Sequence, residues 1–197
     1  MEPDARPDAI IVKRSIPINV SNTLTLLRIL LTPLFAIFLI KHLLSPALLV
    51  FAIAAISDGM DGLIARLFHQ KTTLGAYLDP AADKLLLTTA FVTLAIQELV
   101  PSWLAVIVIT RDVLILFGIA LFIITGREFQ PVPSILSKIT TVAQLAGVLS
   151  VLVGFQVPRI VQVQGMLFWF AAGMTMVSGF QYIYRGLNIL QEEGSNL

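Results

Sequence analysis

Residues 102–124 read SWLAVIVITRDVLILFGIALFII, a stretch in which only Arg111 and Asp112 carry charge. A helix needs about 20 mostly apolar residues to cross the hydrocarbon of a bilayer, so this stretch can cross, and Pro101 introduces it. Working outward in both directions, hydropathy and helix breakers divide the chain into five more segments of the same kind: Asn22–Ile40, Ser45–Leu67, Leu74–Ile96, Pro133–Phe155 and Gln164–Leu187. Pro33 and Pro80 fall inside two of them, which membrane helices tolerate because neighbours satisfy the freed carbonyls. The expected fold is all-α: a polytopic membrane protein with six transmembrane helices over residues 22–187. A short N-terminal cytoplasmic arm, 1–21, and a cytoplasmic tail, 188–197, flank it.

Composition agrees. Of 197 residues, 57% are hydrophobic and 13% charged, with a mean hydropathy of +0.89. A soluble domain carries about twice that share of charge, which excludes an ordinary soluble globule, a disordered chain and a basic nucleic-acid-binding domain. The net charge of +1 selects neither nucleic acid nor an acidic partner. With no cysteine, disulfides, thiolate metal sites and cysteine nucleophiles are excluded together. His42 and His69 are the only imidazoles, so a bound metal must be held mainly by oxygen.

The charges also set an orientation. Lys13, Arg14, Arg66, Lys71, Arg127, Lys138 and Arg185 fall on one side of the six segments, and Lys41 and Arg159 on the other. The positive-inside rule makes the first side cytoplasmic, so both termini are expected there. The first twenty residues hold no apolar run long enough for a signal-peptide core. No repeat relates the two halves, which weighs against an inverted-repeat transporter.

Five carboxylates, Asp58, Asp61, Asp79, Asp83 and Asp112, lie inside or at the ends of apolar segments. Each costs a few kcal/mol at the centre of a crossing helix, so each must face protein, water or a cation. A buried ion pair with Arg28, Lys84 or Arg111 would explain any single one of them, but explains four clustered ones poorly. Asp58 and Asp61 are three apart and Asp79 and Asp83 four apart, so each pair shares a helical face at adjacent turns. The short loop Phe68–Thr73 makes their helices antiparallel neighbours and brings both pairs to the same depth on the cytoplasmic side. Four converging carboxylates repel unless hard divalent cations lie between them; Mg²⁺ is the default, with Mn²⁺ or Ca²⁺ as alternatives. Gly59, Gly62, Ala65, Gly75, Ala76, Ala81 and Ala82 surround them, either as close-packing residues or as room for a bulky ligand. Arg66 is either a positive-inside anchor or a guanidinium for a phosphate or diphosphate.

Asp58, Asp61, Gly62, Ala65, Arg66, Gly75, Asp79 and Asp83 together match, without gap or substitution, the motif of the CDP-alcohol phosphotransferase family. Eight fixed residues over 26 positions are a specific signal, and the resemblance extends to the chain length and the six crossings. It implies transfer of a substituted phosphate from a CDP-linked donor to an alcohol, with release of CMP and a requirement for two Mg²⁺ or Mn²⁺ ions. By that resemblance Asp58, Asp61, Asp79 and Asp83 are metal ligands and Asp83 is also the catalytic base. Asp61, Gly62, Ala65, Arg66 and Gly75 hold the CDP moiety.

The run Asn22–Arg28, the pair Arg111–Asp112, and Lys138 followed by Thr140, Thr141 and Gln144 resemble the branch that uses CDP-diacylglycerol and a glycerol-type acceptor. There Arg111 and Lys138 are expected to bind the acceptor. Their alternatives are a partner for Asp112 or Asp79 and a cytoplasmic anchor, respectively. Phosphatidylglycerophosphate synthases usually carry a second Arg beyond the first on the fourth helix; here residues 113–119 are uncharged. A phosphomonoester carries close to two charges and a phosphodiester one, so the reading leans to phosphatidylglycerol, as in the cardiolipin synthases, with glycerol-3-phosphate as the alternative. The family also implies a homodimer among membrane lipids, in a prokaryotic cytoplasmic membrane, with the active site cytoplasmic. Two other classes compete: an intramembrane-Asp cation transporter, which must explain Gly62, Ala65, Arg66 and Gly75, and an aspartate-rich prenyltransferase.

Overall fold

A computed structural model describes residues 20–68, 73–124 and 135–194. For positions 20–22, 58–68, 73–81, 83, 119–124, 187 and 189–194 within its helices it describes the backbone alone. The described residues form six α-helices and no strand: α1 (Val20–Ile40), α2 (Leu44–Phe68), α3 (Thr73–Ile96), α4 (Ser102–Ile124), α5 (Ile135–Gly154) and α6 (Val161–Gly194). A 3₁₀ turn at Pro158–Ile160 leads into α6. The α4 limits coincide with those expected, and the other helices differ by a few residues, as fraying ends do. The main difference is α6, which runs on to Gly194 where the apolar pattern stops at Leu187. Asn188, Gln191, Glu192 and Glu193 are polar, but none of them breaks a helix.

Specific contacts give the direction of each helix. Only Lys41, His42 and Leu43 separate α1 from α2, so the two are antiparallel. His42 adopts a positive φ of 55°, and its N–H and that of Leu43 bond back to the carbonyls of Leu39 and Phe38, a Schellman turn with histidine where glycine is usual. Glu98, at φ 59°, ends α3 in the same way. The Gln97 amide donates to the Leu39 carbonyl, so the ends of α3 and α1 lie together and the two helices are parallel. On α5 and α6, Gln144 pairs with Thr175 and Ser150 with Gln164, an antiparallel register. α4 runs parallel to α6, with the Trp103 and Trp169 rings 4.7 Å apart near one end and Arg111 bonded to Ser178 further along.

α1 packs along both α2 and α3, α5 along α6, and α3 and α6 each touch α4. The bundle centre holds Phe35, Phe51, Leu87, Phe91, Leu94, Leu104 and Leu152, each fully buried, with the Phe35 and Phe51 ring centroids 5.3 Å apart. The outside is apolar too: Leu30, Leu49, Ile56, Val106, Phe117, Met166 and Phe180 are all more than 60% exposed. An apolar girdle on that scale belongs in lipid rather than water. Three described helical spans, Thr23–Ile40, Ile135–Gly154 and Pro158–Gly186, are long and apolar enough to cross a membrane. Leu44–Ser57 and Lys84–Ile96 are shorter apolar stretches.

Candidate active site

The buried stripes of the helices change character along the bundle axis. On α1 the stripe is Leu39 and Phe35 at one end, then Thr32, Arg28 and Thr25. α2 passes from Ala47, Val50, Phe51 and Ala54 to Ser57; α4 from Leu104, Ala105 and Val108 to Arg111 and Asp112; α6 from Phe168, Ala171 and Ala172 to Thr175 and Ser178. α5, running the other way, starts with Thr140 and Gln144 and continues through Val148, Val151 and Leu152, with Ser150 bonded to the Gly147 carbonyl. Because the helix directions are known, these polar segments fall in one half of the bundle, while Thr93 on α3 and Ser150 on α5 are buried hydroxyls of the other half. The polar half contains the end of α2 and the start of α3. Desolvated polar groups are costly in a bilayer, so their gathering at one end marks that end as the working one.

The motif enters this half from two helices. α2 is helical through Asp58, Asp61, Gly62, Ala65 and Arg66, and α3 through Gly75, Asp79 and Asp83. Their side chains lie outside the described residues. Each pair of aspartates therefore sits at adjacent turns of one continuous helix, and both helices pack on α1. Four aspartates with no cysteine offer oxygen donors, the chemistry that suits a hard divalent cation and not a soft one. Among the described residues, no three or more His, Asp or Glu side chains come together as a metal-holding group.

Next to the motif is a charge cluster whose geometry is fully described. Lys84, the residue after Asp83, reaches Asp112 on α4, with Nζ 2.6 Å from Oδ1. The same oxygen accepts from Arg111 Nη1 at 2.7 Å. Arg111 Nη2 donates to the hydroxyls of Ser137 on α5, at 2.9 Å, and Ser178 on α6, at 3.0 Å. Two cations thus share one carboxylate oxygen, and the cluster carries one net positive charge. Arg111 and Asp112 are almost wholly buried, while Lys84 keeps part of its side chain open. Among the described residues, Asp112 Oδ2 and Arg111 Nε are buried without a hydrogen-bond partner. Gly179 faces the Arg111 stem: a Cβ there would sit 3.5 Å from Arg111 Cγ, an ordinary packing contact.

Among the described residues, Arg111 and Lys138 border two different grooves. Arg111 lies at the floor of a groove of about 240 Å³ between α4 and α6, walled by Val106, Leu114, Met176 and Phe180. Lys138 is exposed and borders an apolar groove between α5 and α6 with Val142, Ala146, Leu167 and Phe170. Of the residues expected at the acceptor, Arg111 is spent mainly on protein partners. Ser178 and Thr175 were not singled out from the sequence, whereas Lys84 and Arg111 were two of the three candidate partners for an intramembrane carboxylate, and both pair with Asp112. Hydroxyl residues are ordinary in membrane helices, and a Lys–Asp pair 28 positions apart shows only once α3 and α4 are packed. Arg111→Met should lower stability by about 3 kcal/mol, the low end for breaking a buried pair, because Lys84 still compensates Asp112. Reversible unfolding in mixed micelles measures it; an unchanged unfolding midpoint would contradict the anchoring seen here.

A family model described as CDP-alcohol phosphatidyltransferase matches residues 18–177. A human protein named cardiolipin synthase (CMP-forming) is 32% identical over 195 residues, which cover 89% of this chain and 64% of that protein. The chain therefore spans just under two thirds of that relative's length. The CDP-diacylglycerol--glycerol-3-phosphate 3-phosphatidyltransferase of Bacillus subtilis (strain 168) is 30% identical over 192 residues, covering 88% of this chain and 97% of its own. The protein of the same name from Escherichia coli (strain K12) is 34% identical over 174 residues, covering 84% and 93%.

Proposed function

Because the chain belongs to the CDP-alcohol phosphatidyltransferase family, we propose that it transfers the phosphatidyl group of CDP-diacylglycerol to a glycerol-type hydroxyl, and that the acceptor is phosphatidylglycerol. The observation that carries the reading is the motif itself: four aspartates at adjacent turns of α2 and α3, at the polar end of the bundle. In this reading Asp58, Asp61, Asp79 and Asp83 hold two hard divalent cations, Mg²⁺ or Mn²⁺. When bound, these neutralise the diphosphate and the phosphate of departing CMP. Asp61, Gly62, Ala65, Arg66 and Gly75 seat the cytidine diphosphate moiety. Asp83 accepts the proton of the acceptor hydroxyl, whose own pKa is far too high for unaided attack. The acceptor oxygen then bonds to the phosphatidyl phosphorus as the bond from that phosphorus to the diphosphate bridging oxygen breaks. CMP leaves with the electron pair.

Arg111 and Lys138 are the proposed acceptor cations. Beyond Arg111, residues 113–119 of α4 offer no second arginine, which supports a phosphodiester acceptor, a monoanion, over a phosphomonoester. Glycerol-3-phosphate is the competing acceptor, since two of the relatives above carry it in their names. The reading also includes six crossings of a cytoplasmic membrane, both termini and the site on the cytoplasmic side, and a homodimer.

The test is CMP release by purified protein in detergent with CDP-diacylglycerol and Mg²⁺. Stimulation by phosphatidylglycerol and not by glycerol-3-phosphate is expected. The reverse result would keep the reaction and overturn the acceptor. Cation movement across vesicles without CDP or CMP binding would favour the transporter.

A further inference from the structure

We propose that the Lys84–Asp112 ion pair is a positioning device for turnover. It holds α3 at one rotation and one depth where Asp83 stands, so Lys84 acts on the reaction through Asp83 and not by touching substrate. The proposal rests on the reading of Asp83 as the base.

Lys84 directly follows Asp83, about 1.5 Å further along the helix axis and a little over a quarter turn round. Whatever fixes the backbone at Lys84 fixes it at Asp83. The anchor it reaches is rigid. Asp112 is buried, and the oxygen that takes Lys84 also takes Arg111, whose other nitrogen is bonded to α5 and α6 through Ser137 and Ser178. The ammonium of one helix thus ends on a node tied to three others.

Stability by itself does not call for this arrangement. Arg111 already neutralises Asp112, so the charge of Asp112 alone does not call for a second cation on the same oxygen. Rotation is what the bare packing leaves open. The buried face of α3 beyond Lys84 is Leu86, Leu87, Ala90, Phe91, Leu94 and, as a hydroxyl, Thr93; its apolar side chains can repack after small shifts. Two polar ties join α3 to its neighbours among the described residues. Gln97 bonds the Leu39 carbonyl at the far end, and Lys84 bonds Asp112 beside the motif. They are 13 residues and about 20 Å apart, so loss of the Lys84 tie removes the link from α3 to α4 beside the motif while the Gln97 tie keeps the other end in place.

The test compares full-length wild type with Lys84→Gln, Lys84→Arg and Asp112→Glu. Lys84→Gln leaves the Arg111–Asp112 pair intact and should melt close to wild type. Asp112→Glu keeps every charge and moves the node by one methylene, so it serves if Lys84→Gln does not fold. Misplacement of a reacting group by about 1 Å can cost 100-fold, so kcat for CMP release should fall about 10- to 100-fold in Lys84→Gln and Asp112→Glu. KM for CDP-diacylglycerol and for the acceptor should stay within about twofold, and Lys84→Arg should recover most of the rate. A second readout does not need activity. The chain has no cysteine, so Leu85→Cys with Val113→Cys, both lipid-facing positions, gives one spin-label pair across α3 and α4. Its distance distribution should broaden in Lys84→Gln. A rise in acceptor KM at constant kcat would make Lys84 a substrate ligand and overturn the proposal, as would an unchanged kcat or an unchanged distance distribution. Wild-type protein that releases no CMP would overturn the enzymatic reading instead, and the spin-label distances would still decide whether the tie holds α3.

Discussion

Asp83→Asn is expected to lower CMP release roughly 10²- to 10⁴-fold, the range for loss of a general base, while nucleotide binding persists. Asparagine has nearly the same shape and keeps one carbonyl oxygen, but it has no basicity near neutral pH, so the acceptor proton has nowhere to go. Replacing a carboxylate in an apolar helix by a neutral amide also removes a desolvation cost, so the variant should be no less stable than wild type. Turnover with CDP-diacylglycerol and Mg²⁺, alongside CMP binding by calorimetry, separates the two effects. Wild-type turnover would remove Asp83 from the chemistry, and loss of CMP binding would reduce it to a ligand.

The second large effect is expected at Asp61. Asp61→Ala should abolish divalent-ion binding at the site and weaken CDP affinity by at least about 100-fold, beyond the 10- to 100-fold typical for groups that only support a metal ligand. Asp61 belongs both to the proposed metal set and to the nucleotide surface, so one truncation removes two functions. Titration of CDP in Mg²⁺ and again in chelator gives the control, because wild type without divalent ions should resemble the variant. Unchanged CDP affinity in Mg²⁺ would refute the ligand assignment.

How much of this could be read from the chain depends on the range of the interaction responsible. The α4 limits follow from local information: Pro101 starts the helix, and residues 102–124 offer no later breaker. The polar end of α6 was missed for a local reason too, since hydropathy reports where lipid ends and not where a helix ends. The Asp58 to Asp83 motif is legible because its spacing lies within two helices and the loop between them. The fate of Asp112 was legible only as a choice among Arg28, Lys84 and Arg111 as its ion-pair partner. Its sequence neighbour Arg111 was an evident partner, but Lys84 joins the same oxygen only after α3 and α4 pack antiparallel.

The sequence by itself determined an all-helical chain, apolar enough for a membrane, with eight motif residues at fixed spacing on two of its helices. Those properties depend on composition and on the 3.6-residue period, which each segment carries alone. Only the tertiary structure decided that buried Arg28, Thr32, Arg111, Gln144 and Ser178 gather in one half of the bundle. It also decided that Arg111 is committed to Asp112, Ser137 and Ser178 while Lys138 borders a different groove. Helix direction and rotation assign those partners. They come from close packing summed over many side chains on different helices, a quantity no single stretch of sequence contains.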